Sequence, residues 1–480
     1  MEATGTPVRP KPLTATRAAS ARVSAVLSVR ITVAAYALIF GSAAVTDYIG
    51  FRSARFDLGN AVQAIWSTAH GRVLETTAVA GEQLPRLGSH VDPLLVLFTP
   101  FWLLWSSPVM LLVAEAAAVS AGALPVFWLA RKHLGSEQAA ACFAVAYLLY
   151  PPTQWNALDP NTGFHAVSFA LPLLLYALWW LDEERWGRFL AVAVLAAASK
   201  ETVPLVVGTL GIWYGVTRRR PFVGAAIFAS GLVLTAVDFL YVIPHFRPSG
   251  TNPFLGRYAD IGGTPVGILK TAVLHPQRIA EVAVTTHKIT YLALLFVPLL
   301  GLCFRAPLLL GAAALPFAVH LPSSAPDQTS VASHSAASTA AVLVGAAIFG
   351  AARTRVDPRR LAVAVLAVAT AAAVISPFWI AVPVARDALG GSPLLRAERH
   401  AVRLIPRGAP VSASNIIGAH LSARRRILLF PVIRDARWIA VDVADTEGAS
   451  SFRAAIRRLR RGRRFVTVYD SDGVVVMRRA

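Results

Sequence analysis

Residues 31–66 read ITVAAYALIFGSAAVTDYIGFRSARFDLGNAVQAIW. The run Ile31 to Val45 carries no charge, and its apolar character approaches the ~20 residues that cross a bilayer as helix. Beyond it, Asp57 stands between Phe56 and an amphipathic stretch in which Leu58, Val62, Ile65, Trp66 and Ala69 recur at helical spacing. The reading expected is one membrane span, then a helix lying along the membrane surface with a carboxylate at its start. What that carboxylate can do depends on the side of the membrane it faces.

The rest of the chain repeats the first half of that pattern. Of 480 residues, 55% are hydrophobic and only 15% charged, against about 25% in ordinary soluble domains. Val109 to Ala130, Ala166 to Leu181, Phe222 to Val242 and Leu361 to Val382 are comparable apolar runs. Runs bounded by charges begin near residues 30, 108, 137, 165, 188, 202, 221, 288, 306, 335 and 361. The fold class expected is an all-α polytopic membrane protein of about eleven transmembrane helices. The stretch Phe189 to Val216, too long for one span and short for two, is divided by Ser199-Lys200-Glu201 and reads as a tight hairpin.

Arg9, Lys11, Arg17, Arg22 and Arg30 precede the first run, and no small-residue cleavage site follows it. Residues 1–30 are expected to be a basic, disordered cytoplasmic tail, with the first span retained as a signal anchor. Cys142 and Cys303 lie inside apolar runs, where a thiol behaves as a small hydrophobe, so neither a disulfide nor a CxxC metal framework is implied.

With eleven spans and a cytoplasmic N-terminus, segments 1–30, 131–137, 182–188, 218–220, 305 and 353–360 lie inside and total +11, counted as Lys plus Arg less Asp plus Glu. The opposite segments 47–92, 151–164, 243–288 and 321–334 total zero. That asymmetry satisfies the positive-inside rule. The protein is therefore expected in the plasma membrane, with a transmembrane domain over 31–382, an external loop over 48–92 and an extracytoplasmic domain over 383–480. The tail holds 19 Arg and 8 acidic residues, net +11; long domains cross largely regardless of charge. Its pattern predicts a small α/β unit: strands at Pro410 to Ser414, Arg426 to Phe430 and Trp438 to Val443, helices over IIGAHLSARR and Ser451 to Arg461, and a closing hairpin RFVTVYDSDGVVVMRR turning at Asp472-Gly473. The run RRLRRGRR suits either lipid phosphates and anionic glycans or a solvated helix face.

Placed on that topology, the ionisable residues outside the turns gather at one membrane face. Asp57 can cap its helix, and a fixed carboxylate at a water–lipid boundary also suits a general base or acceptor clamp. His90 and Asp92, in GSHVDP, can converge from an irregular turn as an anion-binding or proton-shuttling pair; no HExxH or DxD motif marks a metal site. Asp159 and His165, in DPNTGFH, precede a span whose N-terminal backbone donors favour an anion. Lys200 and Glu201 interrupt an apolar zone, where an ionisable pair either neutralises itself or lines a cavity. His334 enters a late span after a polar loop, while Glu115 and Asp238 are isolated. Asp57 is the catalytic candidate; His90, Asp92, Asp159, His165, Lys200, Glu201 and His334 are substrate-binding candidates.

The series FDLGNAVQAIW, SHVDPLLVLFTPFWLL, ALPVFWLARKHLGS, FHAVSFALPLLLYALWW, SKETVPLVV and VSASNIIGAHLSARRRILLFP resembles an uncharacterised prokaryotic family of polytopic membrane proteins, a domain of unknown function, from about residue 35 to the end. That family in turn distantly resembles the GT-C glycosyltransferases. The resemblance implies transfer of a sugar from a polyprenyl-phosphate donor to an extracytoplasmic glycan, lipid or protein acceptor, with Asp57 as the acidic residue of the first external loop. No nucleic acid is an expected partner. A single Asp follows Phe56 where several relatives carry paired acids, which leaves a divalent metal open and no cofactor required. Two other classes fit the same ionisable groups: a transporter or lipid flippase, which calls for inverted repeats not visible here, and a non-enzymatic envelope scaffold using the basic tail.

Overall fold

The computed structural model describes residues 13–160, 162–247, 254–379, 390–445 and 449–480. Each of the eleven apolar runs becomes a helix or bent helix pair. Five helices are long and apolar enough to cross a membrane alone: Ala25–Ile49, Val109–Leu134, Pro221–Phe246, His334–Ala351 and Pro358–Ile375. The pair Pro276–Ala283 and Thr286–Leu299, bent by 68°, is a further broken span. Glu137–Leu149, Ala166–Asp182, Trp186–Ala197, Val203–Thr217 and Pro307–His320 are shorter, as is Pro93–Leu104, which the sequence reading had not separated. Five helices, or six with the bent pair, thus reach crossing length among the described residues, and the other apolar runs form shorter helices. The first helix runs Leu13–Ile49, so helix extends into the segment expected to be disordered; residues 1–12 lie outside the described residues.

One contiguous apolar core joins these helices, with Leu58, Ile65, Leu171, Leu343 and Ile348 fully enclosed. Where apolar side chains cannot drive association because lipid is equally apolar, close backbone approach does so instead. The hairpin of Val203–Thr217 and Pro221–Phe246 shows this. A Cβ on Gly224 would lie 2.5 Å from the Gly211 carbonyl oxygen, and one on Gly231 would lie 2.3 Å from that of Pro204. At the far end from the site described below, the turns expected to be cytoplasmic meet in one ionic network: Asp182 receives Lys132 at 2.7 Å, His133 at 2.8 Å and Arg218 at 2.9 Å.

The loop over residues 48–92, expected to be external, differs from expectation in its local structure. Asp57 does not cap a helix; it sits within a single π-helical turn, Arg55–Gly59, which leads directly into the helix Asn60–Ala69. The apolar face of that helix is enclosed by protein, with Leu58, Val62 and Ile65 buried. A two-stranded ribbon, β1 Glu75–Thr77 with β2 Gln83–Pro85, completes the loop.

The C-terminal unit matches its pattern closely. β3 Val411–Ala413 runs parallel to β4 Ile427–Leu429 and to β5 Trp438–Asp442; β5 pairs antiparallel with β7 Val474–Arg479, and β7 with β6 Phe465–Ser471. Alternation along the strands supplies two cores. Ala440, Val474 and Val476 face one way with Phe51 of the external loop, while Ile439, Val441, Val475 and Met477 face the helix Ala449–Arg461 through Phe452 and Ile456. At the hairpin, Asp472 and Gly473 both take positive φ, 50° and 85°, as a type I′ turn requires.

Gly224→Ala is expected to force the two helices of the hairpin apart and cost about 1–3 kcal/mol, as overpacking does. Gly187→Ala, where a Cβ meets nothing within 4 Å, should leave stability unchanged or slightly raised. Thermal unfolding of the detergent-solubilised variants measures the difference.

Candidate active site

The π-helical turn is held from three sides. Arg55, 1% exposed, donates to the carbonyl of Thr77 on β1 and, at 2.9 Å, to that of Ile427 on β4. The Phe56 N–H donates to Asn415 Oδ1 at 3.1 Å. On the third side the Thr162 carbonyl accepts from Ala54 at 3.2 Å and from Leu58 at 3.4 Å. Gly163, at φ 98°, makes that approach tight, since a Cβ there would meet Ser53 Oγ at 2.8 Å. π-helical turns are rare and concentrate at functional sites, and this one persists because tertiary partners take up its backbone groups.

So fixed, Asp57 Oδ1 lies 3.0 Å from His165 Nε2, and His165 Nδ1 lies 2.9 Å from Asp159 Oδ2. The His165 main-chain N–H donates to Glu115 Oε1 at 3.2 Å, and its ring stacks on that of His334 at 3.6 Å between centroids. Burial alone would lower the His165 pKa, but the charge of Asp57, then its hydrogen bonds with Asp159 and Asp57, raise it to about 10. At neutral pH His165 is therefore an imidazolium that donates both protons to carboxylates. Asp159, His165 and His334 each offer a donor atom within 4.8 Å of the others, close enough to hold a metal ion. An imidazolium has no lone pair to give a metal, so that role would first require His165 to lose a proton.

A second group adjoins the first. The turn carrying Lys200 and Glu201 lies between helices Trp186–Ala197 and Val203–Thr217. Glu201 turns away from mutual neutralisation with Lys200: its Oε1 lies 3.4 Å from His90 Nδ1 and its Oε2 accepts the Val91 N–H at 3.1 Å. Burial would raise the Glu201 carboxyl, but His90 foremost, and then Lys200, bring it down to about 2. Asp92 is occupied by Arg86, whose Nε donates at 2.7 and 2.9 Å, and so braces the loop instead of facing His90. The Lys200 ammonium, by contrast, has no hydrogen-bond or ion-pair partner among the described residues. Burial holds its ammonium below the ordinary pKa; Glu201 opposes that effect and Arg257 adds to it. His165, then Lys200, His90 and Arg257 are the charged groups that act on His334, so the two groups are neighbours.

Sequence reasoning singled out seven of the residues gathered here: Asp57, His90, Asp159, His165, Lys200, Glu201 and His334. It set Glu115 aside as isolated and missed Arg257 entirely. Arg257 follows a segment outside the described residues, and its guanidinium lies over Phe254 at 5.0 Å, whose ring is 5.4 Å from His90. The only signal was the +3 charge of segment 243–288, out of step with the other external segments. Arg55 and Asn415 left no signal, because each bonds a partner more than 350 residues away, Ile427 and Phe56.

A family model described as "Predicted membrane protein (DUF2079)" matches residues 48–476. No curated protein matches the sequence. Among solved structures, ArnT from Cupriavidus metallidurans in the apo state aligns with a TM-score of 0.51 at 12% identity, covering 92% of this chain and 97% of ArnT. ArnT from the same organism bound to undecaprenyl phosphate aligns with a TM-score of 0.50 at 13% identity and the same coverage. Likeness at such identity shows the fold alone, and the GT-C-like helical architecture expected from the sequence is the one observed.

A histidine whose pKa is raised on folding contributes its full stabilisation below the unfolded value of 6.5 and loses it as pH rises through about 10. With isotope-labelled histidine, the His165 ring resonances should hold imidazolium positions through neutral pH and titrate near 10, and Asp159→Asn should move the midpoint down. A parent midpoint near 6.5 would show that the carboxylates do not hold the proton.

Proposed function

This chain belongs to the DUF2079 family of predicted membrane proteins, and we propose that it is a GT-C-type glycosyltransferase that moves a sugar from a polyprenyl-phosphate donor to an acceptor hydroxyl outside the cytoplasm. The observation that carries this reading is the anchored carboxylate of Asp57, held by His165 at 3.0 Å, with the Lys200 ammonium, which has no ion-pair partner among the described residues, in the neighbouring group. The solved neighbour bound to undecaprenyl phosphate supports a lipid phosphate as the ligand of that site.

His165 holds Asp57 Oδ1, so Oδ2 is the oxygen that accepts the acceptor's O–H. The acceptor oxygen attacks the anomeric carbon, a new C–O bond forms, and the bond from that carbon to the phosphate oxygen breaks with inversion. The electron pair leaves with the phosphate, and the acceptor proton passes to Asp57. Bound to an imidazolium, Asp57 is a modest base; it orients the hydroxyl first and takes the proton as the new bond develops. Lys200 and Arg257 meet the growing charge on the leaving phosphate, with His90 as a hydrogen-bonding group beside them, and preorganised cations in a partly desolvated space favour the transition state over the ground state. The opposed totals of +11 and zero in the turns at the two ends of the bundle support an external site and a cytoplasmic N-terminus.

Incubation of the purified protein with radiolabelled polyprenyl-phosphate sugars should give transfer that Asp57→Asn lowers by about 10²–10⁴-fold, the range of general-base contributions. The variant should retain insertion, with thermal stability lowered in step with the loss of the Asp57 charge beside His165. Unimpaired transfer by Asp57→Asn would remove Asp57 from the chemistry.

A further inference from the structure

The C-terminal domain is joined to the transmembrane domain through residues outside the described set, yet its core and the external loop interlock around the turn that carries Asp57. β3 ends at Ala413, and the chain passes through Ser414 into the short helix Asn415–His420, with the Ser414 N–H bonded to the Ala440 carbonyl at 3.1 Å. That connection fixes Asn415, 6% exposed, with its amide oxygen on the Phe56 N–H at 3.1 Å, one residue before Asp57. The two segments approach so closely that glycine is needed on both. A Cβ on Gly59 would lie 2.5 Å from Ser422 Oγ, and a Cβ on Gly418 would lie 2.9 Å from Arg55 Cβ. Beside them the His420 ring is sandwiched between Tyr48 at 4.2 Å and Phe51 at 3.8 Å, at the end of the first span. Further along, Gln63 Nε2 donates to the Arg425 carbonyl at 2.9 Å.

We infer that Asn415 is a positioning residue for Asp57, so that the C-terminal domain is a working part of the site and not an appended module. The inference rests on the assignment of Asp57 to the acceptor hydroxyl. A π-helical turn competes with ordinary α-helix, and the register at Phe56 sets where the next side chain points. Asn415 supplies a partner for the Phe56 N–H in the observed register. Without that acceptor the turn can relax, and Asp57 leaves both His165 and the acceptor. A displacement of about 1 Å at a reacting group can cost about 10²-fold in rate.

The test uses the full chain in detergent micelles and three variants. Asn415→Ala removes the acceptor; Asn415→Asp keeps an oxygen at the same place; Arg434→Ala cuts the surface pair between Arg434 and Glu82, which joins the same two units away from the turn. Two readouts are taken: hydrogen–deuterium exchange of overlapping peptides that begin at or before residue 52 and cover residues 54–66, and transfer kinetics with the donor that the parent uses. Asn415→Ala is expected to lose protection at the Phe56 amide and to lower kcat by about 10- to 100-fold with KM for the donor little changed. Asn415→Asp should restore both, and Arg434→Ala should alter neither. Parental protection in Asn415→Ala, or equal losses in all three variants, would overturn the inference, the second outcome showing only a loosened interface. Since exchange is read without substrate, it judges the role of Asn415 even if Asp57→Asn retains transfer and the proposed function fails.

Discussion

Two acids and one histidine share two protons at His165, and the site is built around that arrangement. Buried charge is tolerated only when paired, and Asp159 and Asp57 each bring a carboxylate to an imidazole that burial would otherwise keep neutral. The bridge joins a loop following the first span to a loop following the span Glu137–Leu149, so electrostatics ties together elements that apolar packing alone could slide past one another. It also leaves one oxygen of Asp57 without a partner among the described residues. His334 stacks on the bridge, and Lys200 and Arg257 are among the charged groups that act on it.

Much of this arrangement was legible in the residues. Apolar runs marked every major helix because lipid solvation leaves a signature of composition that needs no partner to read. Alternation marked β6 and β7, and Asp472-Gly473 marked their turn, because both obey local backbone rules. The convergence of Asp57, Asp159, His165 and His334 followed from topology: residues at the same end of successive spans must meet at one face.

What stayed hidden was the choice of partner. Lys200 and Glu201 are neighbours in sequence, yet Glu201 reaches His90 across 111 positions, since the turn directs adjacent side chains apart. Asp92 next to His90 goes to Arg86 for the same reason. Arg55 and Asn415 bond across 372 and 359 positions, and no periodicity can report a contact of that separation. The helix after Asp57 has the pattern of a surface helix but is covered by protein. An amphipathic stripe tells that a face is buried, not what buries it.

The sandwich of His420 between Tyr48 and Phe51 bears on how the chain matures. Translation delivers the first loop early and the residues that brace it last, after all the apolar helices have left the ribosome. Until the final strands form, the turn at Arg55–Gly59 lacks its partners at Asn415 and Ile427. A premature stop codon near the end of the message would thus leave a chain that inserts fully into the bilayer yet never closes its own rim.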